Sequence, residues 1–337
     1  MPISVNVIGP AYGFGYRTDL ELVSNLLEQS GFEVTRTPLP DICKQARALA
    51  LARLLMRHPK RFDLNIYLGG IFPEWLPLAR KNISMPNVED IPGHSYKYLR
   101  FIDHIVAKTR LTERVFRQMG FNTEYTGFMS RDIFDPEVPR DRIRFFHACS
   151  SQYKGTKRLL ELWTRHPEWP ELVATINYNP TIPEQLAPNI HAIRRPMTQA
   201  EVVQIRNTHT FHLCPSEVEG FGHYILEAMG CRAVVLTPNA APMNELIQPA
   251  RGILLDILDD RPPMGFSHRC FFKPESLEQQ VEHAMKLDQA AIDQIGANAR
   301  AFFLENCRAF LERFADVIRS IAKSKTKRGP LSLPSAY

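Results

Sequence analysis

Apolar positions along this chain gather in short β-rich runs separated by longer stretches of helical spacing. The first run, Ile3-Ser4-Val5-Asn6-Val7-Ile8, stops at Gly9-Pro10 as a buried parallel strand stops at a turn. Beyond a loop carrying Gly13 and Gly15, residues 19–28 have helical spacing, Gly31 stands at the C-cap, and Phe32-Glu33-Val34-Thr35 reads as the next strand. Strand, glycine loop, helix and strand make a βαβ unit. Residues 64–68, 82–85 and 104–107 continue the strand series. Two prolines in the charged stretch Asp135-Pro136-Glu137-Val138-Pro139-Arg140 predict a linker, and the alternation then restarts. Strands are predicted at 144–148, 172–176 and 210–213, helices at 157–165 and 201–207, and nearly unbroken helix from Pro274 to about Lys323. The pattern therefore predicts an α/β protein of two doubly wound domains, 1–138 and 139–322, facing across a cleft. The last helices are free to pack back on the first domain, and a basic tail at 323–337 frays. Ligands of such folds collect outside the carboxyl ends of the parallel strands, which places the expected site in the cleft.

Composition narrows the function classes. The 337 residues are 44% hydrophobic and 23% charged, as in ordinary globular domains. A formal charge of +5, dispersed along the chain, gives no electrostatic footprint for nucleic acid. No apolar run approaches the ~20 residues of a membrane span, and the opening MPISVNVIGP is too short and uncharged for a signal peptide, so a cytoplasmic location is expected. Peripheral membrane contact through Lys323, Lys325, Lys327 and Arg328 is left open, although no apolar face adjoins them. Oligomeric state is not readable. The six cysteines show no C-x-x-C spacing and read as reduced, buried thiols, with no metal site.

The chemistry concentrates in Cys214-Pro215-Ser216-Glu217-Val218-Glu219-Gly220-Phe221-Gly222-His223-Tyr224-Ile225-Leu226-Glu227-Ala228-Met229-Gly230, which reads as strand, polar loop and helix. Gly220 and Gly222 clear side chains from the loop, so that backbone N–H groups at the positive end of the helix can meet a phosphate. Glu219 lies before the helix and Glu227 about two turns inside it, so the pair can address two ends of one extended ligand. A carboxylate accepts two hydroxyl hydrogen bonds, which suits the vicinal diols of ribose or a sugar ring. An arbitrary glutamate pair is most often two solvated carboxylates; the intervening Gly-Phe-Gly and the preceding strand reverse that ranking here.

This block resembles the E-x7-E signature of the retaining GT-B glycosyltransferases, of the glycosyltransferase family 4 or group 1 type. Pro215-Ser216, Glu219-Gly220-Phe221-Gly222, Glu227-Ala228-Met229, Val234-Val235 and Ala241-Pro242-Met243-Asn244-Glu245-Leu246-Ile247 fall in register with it. Lys154-Gly155 is similar to the donor-loop K-G of that family, and residues 127–136 to the segment that closes its first domain. The resemblance implies two Rossmann-like domains, the first binding the acceptor and the second the nucleotide sugar. It implies catalytic roles for Glu219, near the reacting carbon, and for Lys154, on the diphosphate. Glu227 would hold the ribose hydroxyls, Gly220, Phe221 and Gly222 would present amides to the donor, and Met243, Asn244 and Glu245 would sit near the diphosphate and sugar. The loop around Gly13, Phe14 and Gly15 would close over the phosphates.

Departures from the motif are informative. The family's arginine five residues before the lysine is here Cys149, with Lys157, Arg194 and Arg195 as candidate replacements. His223-Tyr224 stands where Leu-Pro is common, and Cys231-Arg232-Ala233 replaces Gly-x-Pro. Asn87, Glu89 and His94 follow a first-domain strand and are acceptor-site candidates; a loop or cap role is the plainer reading of His94, and capping explains Thr109 beside Lys108. Trp75, Trp163 and Trp169 read as core. No D-x-D triplet occurs, so the expected reaction is metal-independent transfer of a hexose-type sugar from a nucleotide diphosphate sugar to a hydroxyl of a glycan, lipid-linked or other saccharide, without a cofactor. The alternatives are a nucleotide-sugar 2-epimerase of the same fold and a catalytically silent sugar-nucleotide-binding or scaffold protein.

Overall fold

The structure, a computed structural model, describes residues 2–11, 13–39, 51–52, 55–56, 62–91, 93–149, 151–176 and 182–325. Cys43 and the tail beyond Lys325 lie outside the described residues. Two compact units divide the chain, one of Met1–Met129, Met264–Ser267 and Cys307–Tyr337, the other of Ser130–Pro263 and His268–Asn306.

The first unit runs β1 (Ser4–Pro10), α1 (Phe14–Gln29), β2 (Glu33–Leu39), β3 (Phe62–Leu68), β4 (Ala79–Met85), α2 (Tyr96–Leu99), β5 (His104–Ala107), α3 (Arg110–Gln118) and β6 (Thr123–Tyr125). Its sheet is parallel in the order β2-β1-β3-β4-β5-β6. Val5, Val7, Leu64 and Ile66 are fully buried, because crossover helices cover both faces of a parallel sheet and leave its central strands no wet side. Thr109 caps α3 by accepting from the Thr112 amide at 3.1 Å. Trp75 is in this unit's core.

The second unit runs β7 (Asp141–Cys149), α4 (Thr156–Thr164), β8 (Leu172–Ile176), β9 (Ile190–Ile193), α5 (Gln199–Thr208), β10 (His209–Leu213), α6 (His223–Gly230), β11 (Val234–Pro238), α7 (Met243–Leu246), β12 (Ile253–Leu255), α8 (Pro274–Lys286) and α9 (Gln289–Lys323). The order β12-β11-β10-β7-β8-β9 is again wholly parallel. Phe145 on β7 pairs in register with Phe211 on β10, their rings stacked at 4.9 Å, and Trp163 meets Phe145 edge-on at 5.1 Å and Trp169 at 4.7 Å. In both units the first strand lies inside the sheet and the chain winds outward from it in two directions. The second unit's switch point therefore falls between β7 and β10, and ligands of such folds collect outside the carboxyl ends of the strands at that point.

Three details differ from the expectations. α1 starts at Phe14 rather than near Asp19, so Gly13 is its N-cap and Gly15 lies in its first turn; two glycines close together hid a helix start. The short strands β6, β9, β11 and β12 join the predicted series. The C-terminal helical stretch breaks at Leu287-Asp288 into α8 and α9, and the part of α9 from Cys307 onward counts with the first unit, where Phe310 meets Phe128 at 5.0 Å. Lys81, buried on β4, donates to the Ile321 carbonyl at 2.5 Å and to Ser324, a cation at the negative end of α9. No helix among the described residues is long and apolar enough to cross a membrane.

Candidate functional site

Both loops that flank the second unit's switch point carry charge. The loop after β7 ends at Lys154-Gly155, and the loop after β10 holds Pro215 to Gly222. They are locked together by backbone. Glu217 N donates to the Tyr153 carbonyl at 2.8 Å, and Gly155 has φ +67° with its would-be Cβ 2.2 Å from Pro215 O, so a side chain fits neither the conformation nor the space. Below them His147 on β7 is fully buried. A carbonyl can only accept, so its Nδ1–H donates to Leu213 O at 2.9 Å, which leaves Nε2 to accept from the Thr156 hydroxyl at 2.8 Å. Burial lowers the His147 pKa to about 4, which keeps it a neutral strut between the ends of β7 and β10 and the start of α4.

On this frame Lys154 is ion-paired with Glu219 Oε1, both side chains nearly enclosed. Ser216 Oγ reaches the same oxygen at 2.5 Å, and the Tyr224 hydroxyl lies 2.5 Å from Ser216 Oγ. The Tyr224 ring faces Lys154, with Nζ 3.9 Å from its centroid. Burial above all, then the charges around it, pushes the Tyr224 phenol well above its ordinary value, so it stays a hydroxyl. α6 begins beside this cluster. Gly222, at φ +100°, is its N-cap and supplies no side chain, so the first turn opens without a side-chain cap. Phe221 is buried, and His223 is tied through Nδ1 to Ser130 Oγ at 2.7 Å.

Glu227 lies on α6, buried, with Oε2 2.8 Å from Arg206 on α5. Arg206 also reaches the Tyr224 carbonyl at 3.4 Å. Glu217 pairs with Arg269, whose guanidinium lies 5.1 Å from the Phe271 centroid. Beyond β11, Met243 is buried in α7 and Asn244 Nδ2 donates to Asn239 Oδ1 at 3.0 Å, with Glu245 next to it in the same short helix. Arg195 sits elsewhere in this unit, exposed and paired with Glu201 at 2.5 Å, where Glu201 completes the capping box of α5. Position 149 holds a buried thiol that reaches Ser151 O at 3.7 Å, while Lys157 and Arg194 are exposed. Cys214, Cys231 and Cys270 are pushed up to about 12 by burial and remain thiols, so thiolate chemistry is not what this site offers.

The other predicted residues belong to the first unit. Gly13 precedes α1 and Gly15 opens it. Asn87 and Glu89 follow β4, and the buried Asn87 Oδ1 has no hydrogen-bond partner among the described residues. His94 lies in a single 3-10 turn before α2. Sequence reasoning missed the struts here. Tyr16 donates to Asp90 at 2.5 Å while its ring packs against Gly69, and Lys108 forms a buried pair with Asp19 at 2.8 Å. In the second unit it missed Arg206, which no local pattern marks, and Tyr224, which was visible only as a departure from the motif.

No protein-family model matches the sequence, and no curated protein matches it. Solved structures do. A glycosyltransferase from Rickettsia africae ESF-5 superposes with a TM-score of 0.69 at 14% identity, covering 96% of this chain and 100% of that one. A sucrose-phosphate synthase from Thermosynechococcus elongatus gives 0.71 at 11%, over 95% and 99%. Anabaena HepE, solved in complex with UDP and glucose, gives 0.63 at 15%, over 95% and 100%. At such identities the likeness shows the fold alone, which is the two-domain α/β fold of the GT-B glycosyltransferases.

Proposed function

We propose that the chain is a retaining glycosyltransferase that moves a hexose-type sugar from a nucleotide diphosphate sugar to the hydroxyl of a saccharide acceptor, without a metal. The observation that carries this reading is the Lys154–Glu219 pair at the switch point of the second unit, beside the uncapped start of α6. A diphosphate seated there meets the positive end of the helix and the lysine ammonium. As the sugar–phosphate bond breaks, charge builds on the leaving oxygen, and preoriented donors of this kind stabilise it. Each charged hydrogen bond is worth ~1.5–3 kcal/mol, or roughly ten- to a hundredfold. The departing phosphate takes the acceptor proton on the same face, so the site needs no strong base.

Glu219, with Ser216 and Lys154 fixing one oxygen, turns its other toward the sugar hydroxyls. Glu227 works likewise for ribose: Arg206 holds Oε2, and Oε1 is assigned to the diol. Gly220, Phe221 and Gly222 present the loop backbone, and Met243, Asn244 and Glu245 border the sugar. In the first unit Asn87 Oδ1, without a hydrogen-bond partner among the described residues, accepts from a saccharide hydroxyl. The UDP and glucose named for the Anabaena structure make UDP-sugars the first donors to try.

Thermal shift of the full chain against UDP-, GDP- and ADP-sugars, without added metal, tests the donor site. A ligand at a hundred times its Kd stabilises by about 2.7 kcal/mol. One donor should raise the Tm, and Glu227→Ala should abolish that rise. A flat response to every donor contradicts the reading.

A further inference from the structure

Tyr224 occupies a position where the E-x7-E motif carries proline, and it closes a loop of side chains that proline cannot make. Its ring lies against the Lys154 ammonium, its hydroxyl meets Ser216, Ser216 meets Glu219, and Glu219 returns to Lys154. A lysine carries its charge on a flexible four-carbon stem, and a single carboxylate contact fixes only one end of it. An aromatic face attracts the ammonium from a second direction while leaving N–H donors for a ligand, an attraction that grows where water is excluded. The site also has a particular need for this. The place of a second phosphate-binding cation is held by the buried Cys149, and the exposed Arg195 is engaged by Glu201.

We propose that Tyr224 is a positioning residue for the donor diphosphate: its ring holds Lys154 at the start of α6, so that one fixed lysine serves where a lysine and an arginine serve in the enzymes that this motif resembles. The proposal rests on the donor-site reading above. Its ring and its hydroxyl have separable duties, the ring acting on Lys154 and the hydroxyl, through Ser216, on Glu219.

The test is calorimetric titration of the full chain with UDP, GDP and ADP and with the corresponding nucleosides. For the diphosphate that binds, Tyr224→Phe keeps the ring and should leave its Kd within about twofold. Tyr224→Leu should weaken it about tenfold, with the nucleoside Kd unchanged. A role in packing alone would move both ligands together. Phenylalanines with one, two and three ring fluorines at position 224 keep the shape of the side chain and drain the ring face, and they should weaken the diphosphate stepwise; this series stands even where the leucine variant does not fold. Wild-type binding of a diphosphate with no loss in Tyr224→Leu and none along the fluorinated series overturns the proposal alone. Equal losses for diphosphate and nucleoside overturn it too. Failure of the wild type to bind any diphosphate overturns the donor site, and this proposal with it.

Discussion

At the residue scale the least visible group in the sequence is a structural one. His147 looked like one more residue of a predicted strand, yet it ties the ends of β7 and β10 to α4 from a fully buried position. Its pKa of about 4 in the folded chain, against 6.5 when exposed, sets a pH dependence. Between these values the unfolded chain binds a proton that the folded chain refuses, so stability is complete above pH 6.5 and is lost as the pH falls toward 4, by about 3 kcal/mol. Burial shifts His209 and His212 in the same direction. Calorimetric scans from pH 7.5 to 4.5 should show the second unit's Tm falling steeply below 6.5, and His147→Asn should flatten that fall; parallel curves would contradict this origin. Glu219 and Lys154 were legible as residues because their motif is local. The contacts of Tyr224 with Lys154 and of Arg206 with Glu227 were not, since only folding sets these side chains against the site.

At the element scale the two loops of the site behave as one piece. Gly155→Ala puts a Cβ 2.2 Å from the Pro215 carbonyl at a left-handed φ, so it should cost about 3 kcal/mol and loosen both loops together. Urea unfolding measures the cost, and a variant within 0.5 kcal/mol of wild type would show that the loops are not coupled this way. Arg232 offers the reverse case. It follows α6 at φ +59°, where glycine is the ordinary occupant, so Arg232→Gly relieves backbone strain and should raise stability by up to about 1 kcal/mol, measured in the same way. The sequence showed both spots through K-G and through the missing Gly-x-Pro. It misplaced the start of α1 because glycines at 13 and 15 read as loop until the tertiary fold fixes the first turn.

At the scale of the whole molecule, two parallel sheets follow from strands apolar on both faces alternating with amphipathic helices, a pattern readable over the described residues. Strand order was not readable, and it is the order that puts Lys154 and Glu219 at one switch point. Because the helix end and Lys154 are assigned the cation's work, EDTA should leave the transfer rate unchanged; activity lost to EDTA and restored by Mg²⁺ or Mn²⁺ would contradict metal-independent transfer. The most direct test of the central claim is nucleoside diphosphate release from UDP-, GDP- and ADP-sugars by the full chain, run beside Glu219→Gln. Release from one donor is expected, at least a hundredfold slower in the variant. No release from any donor, or equal release by both proteins, would contradict it.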